Sequence, residues 1–406
     1  MDPLQSAYRK GRSTETALLR IHNNILRAVD KGKGVCLVLL DLSAAFDTVD
    51  HNILLTFLEQ YIGLEGAALD IFRSYLEGRT QCVSIDGVLS EVCELMYGVP
   101  QGSVLGPIVF CIYTIPLGHI LKYYNINYHI YADDTQLYCS FDSDCAEEVL
   151  VSLQDCIADI RSWMIKNKLK INDDKTEFLV ITSPHSKLSK DMHIKIGQTE
   201  ILPSNHCKSL GVMFDERMAM DKQVSNICRA ALFHIRNISA IRDLISSSAA
   251  AQLMHSLVSS RIDYCNSLLY GIPDYRIKQI QRVQNIAARV VALSSKYDHI
   301  SPVLRELHWL PVDKRILFKI LLLTYKCVNC LAPSYLCDLV SPVQNTRVLR
   351  SNSKGLLTIP VTRMKTYGDR SFSYAAATEW NKLPMDIRQS TSVNAFKAKL
   401  KTFLFQ

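Results

Sequence analysis

At 406 residues, 48% hydrophobic and 21% charged, the chain has the length and balance of an ordinary globular protein with two or three cored domains. Thirteen cysteines without a framework exclude a disulfide-stapled scaffold, and neither a signal pattern at Met1-Asp2-Pro3-Leu4-Gln5 nor an apolar run of membrane-spanning length is present, so the expected location is cytoplasm and nucleus, a reducing compartment, not secreted and not in a membrane. The net charge of +7 conceals a division: residues 1–200 carry 18 Lys and Arg against 26 Asp and Glu, whereas residues 201–406 carry 28 against 13, the footprint of a polyanion-binding surface or of a solvated basic one.

In chain order, Gln5 to Arg12 is polar and basic, with Arg9, Lys10 and Arg12 around Gly11. Leu18, Ile21, Ile25 and Val29 mark an amphipathic helix that Lys31-Gly32-Lys33-Gly34 stops. The continuous apolar run Val35 to Leu40 reads as a strand buried on both faces, and it delivers Asp41 where strand becomes loop, a common place for a catalytic acid. Asp50 is a candidate helix cap, and two helices follow across Gly63 to Gly78. Thr80 to Leu95 reads as strand, Asp86-Gly87 turn, strand.

Gly98 to Pro107 is a Gly/Pro-rich loop opening onto a helix over Ile108 to Leu121, and its small residues let backbone approach a ligand closely. The stretch Ile130 to Tyr138 then reads as two strands with Asp133 and Asp134 at the turn between them. Two like charges side by side call for a cation or for solvent. Together with Asp41, these hard oxygen donors suit Mg²⁺.

Asp144, with Glu147 three residues on, is the expected cap of a long helix whose stripe is Val149, Leu153, Ile157, Ile160 and Met164. Lys175 leads into a strand, Phe178 to Ile181, and is either a proton donor or a surface lysine paired with Asp173, Asp174 or Glu177. Leu210 to Phe214 reads as a further strand, and from Ala219 the spacing is helical, through Leu232, Ile235, Ile238 and Leu244 and on to Ile286. Cys327 and Cys330, with Cys337 beyond, form half a zinc signature with no second pair, which favours buried thiols on an amphipathic helix. Residues 341–370 are loop-rich, and short helices around Ala375 to Lys382 and Val393 to Phe405 close the chain.

Three of these stretches, Leu39-Leu40-Asp41-Leu42-Ser43-Ala44-Ala45-Phe46-Asp47, Gly98-Val99-Pro100-Gln101-Gly102-Ser103-Val104-Leu105-Gly106-Pro107 and Tyr131-Ala132-Asp133-Asp134, resemble in order and spacing the palm motifs of a reverse transcriptase. The wording is similar to that of non-LTR (LINE-type, Jockey-like) retrotransposons, and the likeness continues through Asn172 to Glu177 and Leu210-Gly211-Val212 to the C-terminus.

The resemblance implies an α+β fold: a right-hand polymerase palm, an antiparallel sheet backed by helices, with partial fingers (1–215), a helical thumb-like region (216–295) and a mainly helical C-terminal region (296–406). It implies RNA-directed DNA polymerase activity, with Asp41, Asp133 and Asp134 holding two Mg²⁺ ions, for which Mn²⁺ can substitute, and Lys175 as the acid. Leu42, Phe46, Gln101, Gly102 and Arg12 would face the nucleotide, with Phe46 as the gate against a ribose 2′-hydroxyl, and Leu210, Gly211 and Val212 would form the primer grip. The implied partners are an RNA template, a DNA primer and deoxynucleoside triphosphates. The family has more fingers sequence upstream of this chain's Met1, and nothing here resembles the endonuclease of a longer element. The competing expectation is therefore a non-catalytic nucleic-acid-binding remnant of a mobile element.

Overall fold

The computed structural model describes residues 1–184, 186, 192–197, 199–343 and 355–406. The fold is α+β and divides into two compact units, the first formed by residues 1–10, 36–178 and 189–203, the second by residues 11–35, 179–188 and 204–406. Among the described residues no helix is long and apolar enough to cross a membrane.

The first unit is built on the sheet that carries the acidic motifs. Its strands are ordered Asn127–Tyr131, Asp134–Phe141, Gly34–Leu40 and Glu177–Ile181, the last continuing into the second unit. Every residue of Gly34–Leu40 is buried, as its unbroken apolar run requires of a central strand. The first two strands form an antiparallel hairpin, Tyr131 opposite Asp134. The helix Ala146–Lys166 packs against one of them and Ile115–Tyr123 against the other. The expected stripe is present, with Leu153, Ile157, Ile160 and Met164 buried, but the cap lies upstream of the expected Asp144: a short 3₁₀ turn over Ser143–Cys145 intervenes, and Asp142 caps it.

The single helix expected over Ile108 to Leu121 is two, Gly106–Tyr113 and Ile115–Tyr123, meeting at Thr114. Pro116 explains the break, because its nitrogen has no hydrogen to continue the ladder and its ring crowds the preceding turn. The helix His51–Gln60 starts as expected, with Asp50 Oδ1 accepting from the Ile53 N–H at 3.0 Å. The Asp86-Gly87 turn is also present, both residues at positive φ between Ser84–Ile85 and Val88–Leu89.

Residues 2–7, which sequence alone marks only as polar, form a strap along the edge of the hairpin. Gln5 bridges Ile130 in parallel, with the Ser6 N–H bonded to the Ile130 carbonyl at 2.9 Å and the Ile130 N–H to the Leu4 carbonyl at 3.0 Å. Asp2 anchors the strap by accepting from the Leu4 N–H, the Tyr128 hydroxyl and the Lys122 ammonium at 2.7, 2.8 and 2.9 Å. These donors hold its carboxyl below the usual range although burial pushes the other way.

The second unit is mainly helical. The helix Thr14–Asp30 packs within it rather than with the motifs that follow it in sequence, and the core is closed by Leu321 and Tyr325 with Trp380, Phe396 and Leu400. The rings of Tyr325 and Phe396 stack at 4.3 Å. A hairpin of His206–Ser209 and Val212–Asp215 corrects the expected strand over Leu210 to Phe214, because Leu210 and Gly211 are its two-residue turn, at φ 45° and 81°. Leu244, expected on the apolar stripe, is exposed; Arg242 is buried in the same turn, its guanidinium donating to the carbonyls of Ile245, Val290 and Val291. Loop structure predominates over 355–370, and residues 344–354 of the expected loop-rich region lie outside the described residues.

Candidate active site

Asp41 follows directly on the buried central strand, and main-chain bonds fix its position. Its carbonyl accepts from the Asn172 N–H and the Ser43 N–H donates to the Lys170 carbonyl, both at 2.9 Å, so Leu42 pairs antiparallel with Ile171 between them. In such a narrow pair the Leu42 carbonyl turns away from Ile171 and is left out of that ladder. The chain then makes a 3₁₀ turn, Asp173–Lys175, which Arg161 holds through a two-pronged pair with Asp173 at 2.8 and 3.0 Å. Lys175 at the end of this turn brings its Nζ to 3.3 Å from Asp41 Oδ2. That lysine is mostly exposed, and the pair is a screened one.

Asp133 and Asp134 come from the hairpin tip. Ala132, at φ 59°, is the first of two loop residues between Tyr131 and Asp134, and both acids are half-buried. Burial raises the Asp133 carboxyl, with the Asp41 charge adding to the effect and Lys175 opposing it. Burial first, then the charges of Asp133 and Asp41, pushes Asp134 up to about 6. The three acids from two separate segments therefore lie within electrostatic reach of one another. Among the described residues no group of three or more His, Cys, Asp or Glu side chains, these acids included, is placed so that it could hold a metal ion as it stands. By their chemistry, three hard carboxylates whose mutual repulsion a divalent cation would relieve fit Mg²⁺ or Mn²⁺.

The other expected residues of this unit line the same loop system. Phe46 is half-buried, its ring 4.6 Å from that of Phe110, and its carbonyl accepts from the Val99 N–H at 2.9 Å. Gln101 is exposed and donates from Nε2 to Asp47 Oδ1 at 2.9 Å; Gly102 beside it is exposed at φ 80°. The Gly98 loop is thus fastened to the segment following Asp41, and Gly98 has to be glycine: at φ 84° a Cβ would stand 2.9 Å from the Asp47 carbonyl oxygen. Arg12 and Leu210-Gly211-Val212 belong to the second unit. There the Arg12 guanidinium lies over the Tyr335 ring at 5.3 Å, and the Tyr264 hydroxyl donates to the Leu210 carbonyl at 2.7 Å.

Sequence reasoning missed two residues that hold the site, Arg161 and Gln5. The first was hidden in a helix as an ordinary polar-face arginine. The second was read as part of a basic surface segment, yet only 3% of it is exposed and its amide reaches Ala132.

Comparison with known proteins finds relatives by sequence and by structure. The chain is 28% identical over 293 residues to a probable RNA-directed DNA polymerase from transposon X-element of Drosophila melanogaster, covering 71% of this chain and 31% of that protein. It is 25% identical over 335 residues to a probable RNA-directed DNA polymerase from transposon BS of the same fly, covering 77% and 35%. It is also 25% identical over 276 residues to the RNA-directed DNA polymerase from mobile element jockey of Drosophila funebris, covering 66% and 29%. The chain spans about a third of the length of the curated relatives it matches. Among solved structures, apo telomerase from Candida tropicalis aligns with TM-score 0.39 and 11% identity over 76% of this chain and 51% of that one. Telomerase from Candida albicans in complex with a fragment of telomeric RNA aligns with TM-score 0.33 and 14% identity over 75% and 51%. Residues 1–214, more than half of the chain and all three acids among them, match the family described as reverse transcriptase (RNA-dependent DNA polymerase), and the chain belongs to that family.

Proposed function

We propose that this chain is the polymerase portion of a non-LTR retrotransposon, adding deoxynucleotides to a primer 3′-hydroxyl on an RNA template. The observation that carries the proposal is the convergence of Asp41 with Asp133 and Asp134, whose charges add to burial in raising the Asp134 carboxyl. These carboxylates, with the Leu42 carbonyl, would hold two Mg²⁺ ions, or Mn²⁺ in their place. When bound, the ions supply charge stabilisation for an in-line displacement of pyrophosphate and acidify the primer hydroxyl.

The chain's own residues do the rest. Asp41, Asp133 and Asp134 present the oxygens that would hold the cations, and through them set where the triphosphate would lie. Lys175, carried on the turn bonded to Asp41, protonates the departing pyrophosphate. Phe46, held against Phe110, closes the space beside the sugar, while Gln101 and Gly102 pack on the incoming nucleotide. Arg12 contacts the triphosphate or template, and Leu210, Gly211 and Val212 hold the primer end. The basic second half follows the phosphates of the template-primer duplex. Activity of this kind belongs in cytoplasm and nucleus, in keeping with thirteen free thiols.

Primer extension on an RNA template, run with wild type and Asp133→Asn side by side, tests this reading. The expected result is Mg²⁺-dependent extension that falls by at least about 10³-fold in the variant. Extension equal in both removes the metal role, and salt-sensitive duplex binding without extension under any divalent metal supports the remnant reading instead.

A further inference from the structure

We infer that Gln5 is a positioning residue of the acidic hairpin, setting the angle at which Asp133 and Asp134 meet Asp41 and so the affinity for divalent cation. The inference rests on the polymerase reading above. Its basis is the way one side-chain amide takes up both main-chain groups of the residue preceding the acids. Gln5 Oε1 accepts from the Ala132 N–H at 3.0 Å, and Gln5 Nε2 donates to the Ala132 carbonyl at 3.4 Å. The same oxygen accepts from the Ala7 N–H at 3.0 Å, which locks the amide's orientation.

Ala132 needs such a partner for two reasons. As a loop residue of a two-residue turn it lies outside the register of paired residues, and it is 7% exposed, so water has little access to its polar groups. It also stands at φ 59°, a conformation that an L-residue other than glycine adopts only when the surroundings impose it. Gln5 can impose it because the strap is fixed on both sides. Its main chain is in register with Ile130, its start is held by Asp2, and Ser6 Oγ lies 2.8 Å from His129 Nε2. Gly118 gives Asp2 its seat, since a Cβ there would overlap the Asp2 carboxylate. From Asp2 to Ala132, the neighbour of Asp133, a continuous run of hydrogen bonds thus connects strap and hairpin tip.

The test compares Gln5→Met, which keeps the length and removes both polar functions, Gln5→Glu, which keeps the two acceptor bonds and loses the donor, and Ser6→Ala, which loosens the strap away from the hairpin tip. Mn²⁺ binding to the whole folded protein is measured by titration in parallel with the Mg²⁺ dependence of primer extension, and each variant is melted. Gln5→Met is expected to raise the half-saturating metal concentration at least about fivefold in both assays, and Gln5→Glu by less. Ser6→Ala is expected to lower the melting temperature and to move the metal curve much less than Gln5→Met does, since the main-chain bonds to Ile130 and the Asp2 anchor remain. Unchanged metal binding in folded Gln5→Met overturns the inference, and so does an equal shift in Ser6→Ala, which would make the strap merely structural. Should Gln5→Met not fold, a Gln5→Glu metal curve indistinguishable from wild type overturns it. Wild type that binds no Mn²⁺, or binds it equally after Asp133→Asn, overturns the polymerase reading itself.

Discussion

Of the hairpins that turn in two residues with a non-glycine residue at positive φ, the acidic one of the first unit and the one in the second are held in opposite ways. At the acidic hairpin, Ala132 at φ 59° is sealed beneath the buried Gln5 amide. In the other, Leu210 at φ 45° and Gly211 at φ 81° turn at the surface, and the partner of the Leu210 carbonyl is the hydroxyl of Tyr264, 41% exposed. A hydrogen bond without competition from water defines a single geometry, whereas one in contact with solvent can be exchanged at little cost. The first turn suits carboxylates that must meet to within fractions of an ångström, the second a surface that accommodates a partner.

The largest expected contrast is in pH. His22 is buried and stacked on Phe214 of the second hairpin, and burial, assisted by Arg370, pushes its imidazole down to about 3 from an ordinary 6.5. Between those values the unfolded chain binds the proton and the folded one does not, so unfolding free energy falls as pH is lowered from 6.5, by up to about 1.4 kcal/mol per unit. Asp134 acts with the opposite sign. Its folded value, about 6, lies above the ordinary 3.8, so the folded state holds the extra proton in that window and acidification favours it. Denaturant titrations in EDTA across pH 4–7 should therefore show a steeper loss toward acid in Asp134→Asn and a shallower one in His22→Leu. A slope that His22→Leu leaves unchanged would show that the histidine is not what acid attacks.

Next in size is Gly211→Ala. The new Cβ meets the Tyr264 ring at 3.4 Å at a φ only glycine adopts freely, and a loss of about 1–2 kcal/mol is expected from thermal melts. Replacement in the other direction should help: Leu210→Gly and Ala132→Gly each relieve a left-handed residue, for a gain of about 0.5–1 kcal/mol. The comparison sharpens there, because Gln5 and not the alanine methyl defines the acidic turn, so Ala132→Gly should leave the metal dependence of extension unaltered. Tyr264→Phe is the smallest, at most about 1 kcal/mol, since water can replace the hydroxyl. A larger loss would mean that the second turn is as closed as the first.

Much of this was legible in the chain itself. The buried central strand, the acid at its end, the paired acids at a turn, the Asp50 cap and the Asp86-Gly87 turn each declare themselves within a few residues, because period and turn chemistry are local. The supports were not. Gln5 lies 127 residues from the alanine it holds, and nothing in Leu4-Gln5-Ser6-Ala7 distinguishes a buried amide from an exposed one. Arg242 gives no local signal of its burial, because its partners, the last carbonyls of the helix Asp274–Ala292, exist only after that helix has formed. Two misreadings had visible signals: Pro116 within an expected helix, and Gly211 within an expected strand.

The turn that carries Lys175 is bonded to the carbonyl of Asp41 through Asn172 and pinned from behind by Arg161. Lys175 and Asp41 are thus mounted on one bracket. When thermal breathing or a bulky ligand displaces the end of the central strand, both travel together, and the distance between them is conserved while their position relative to the hairpin tip changes.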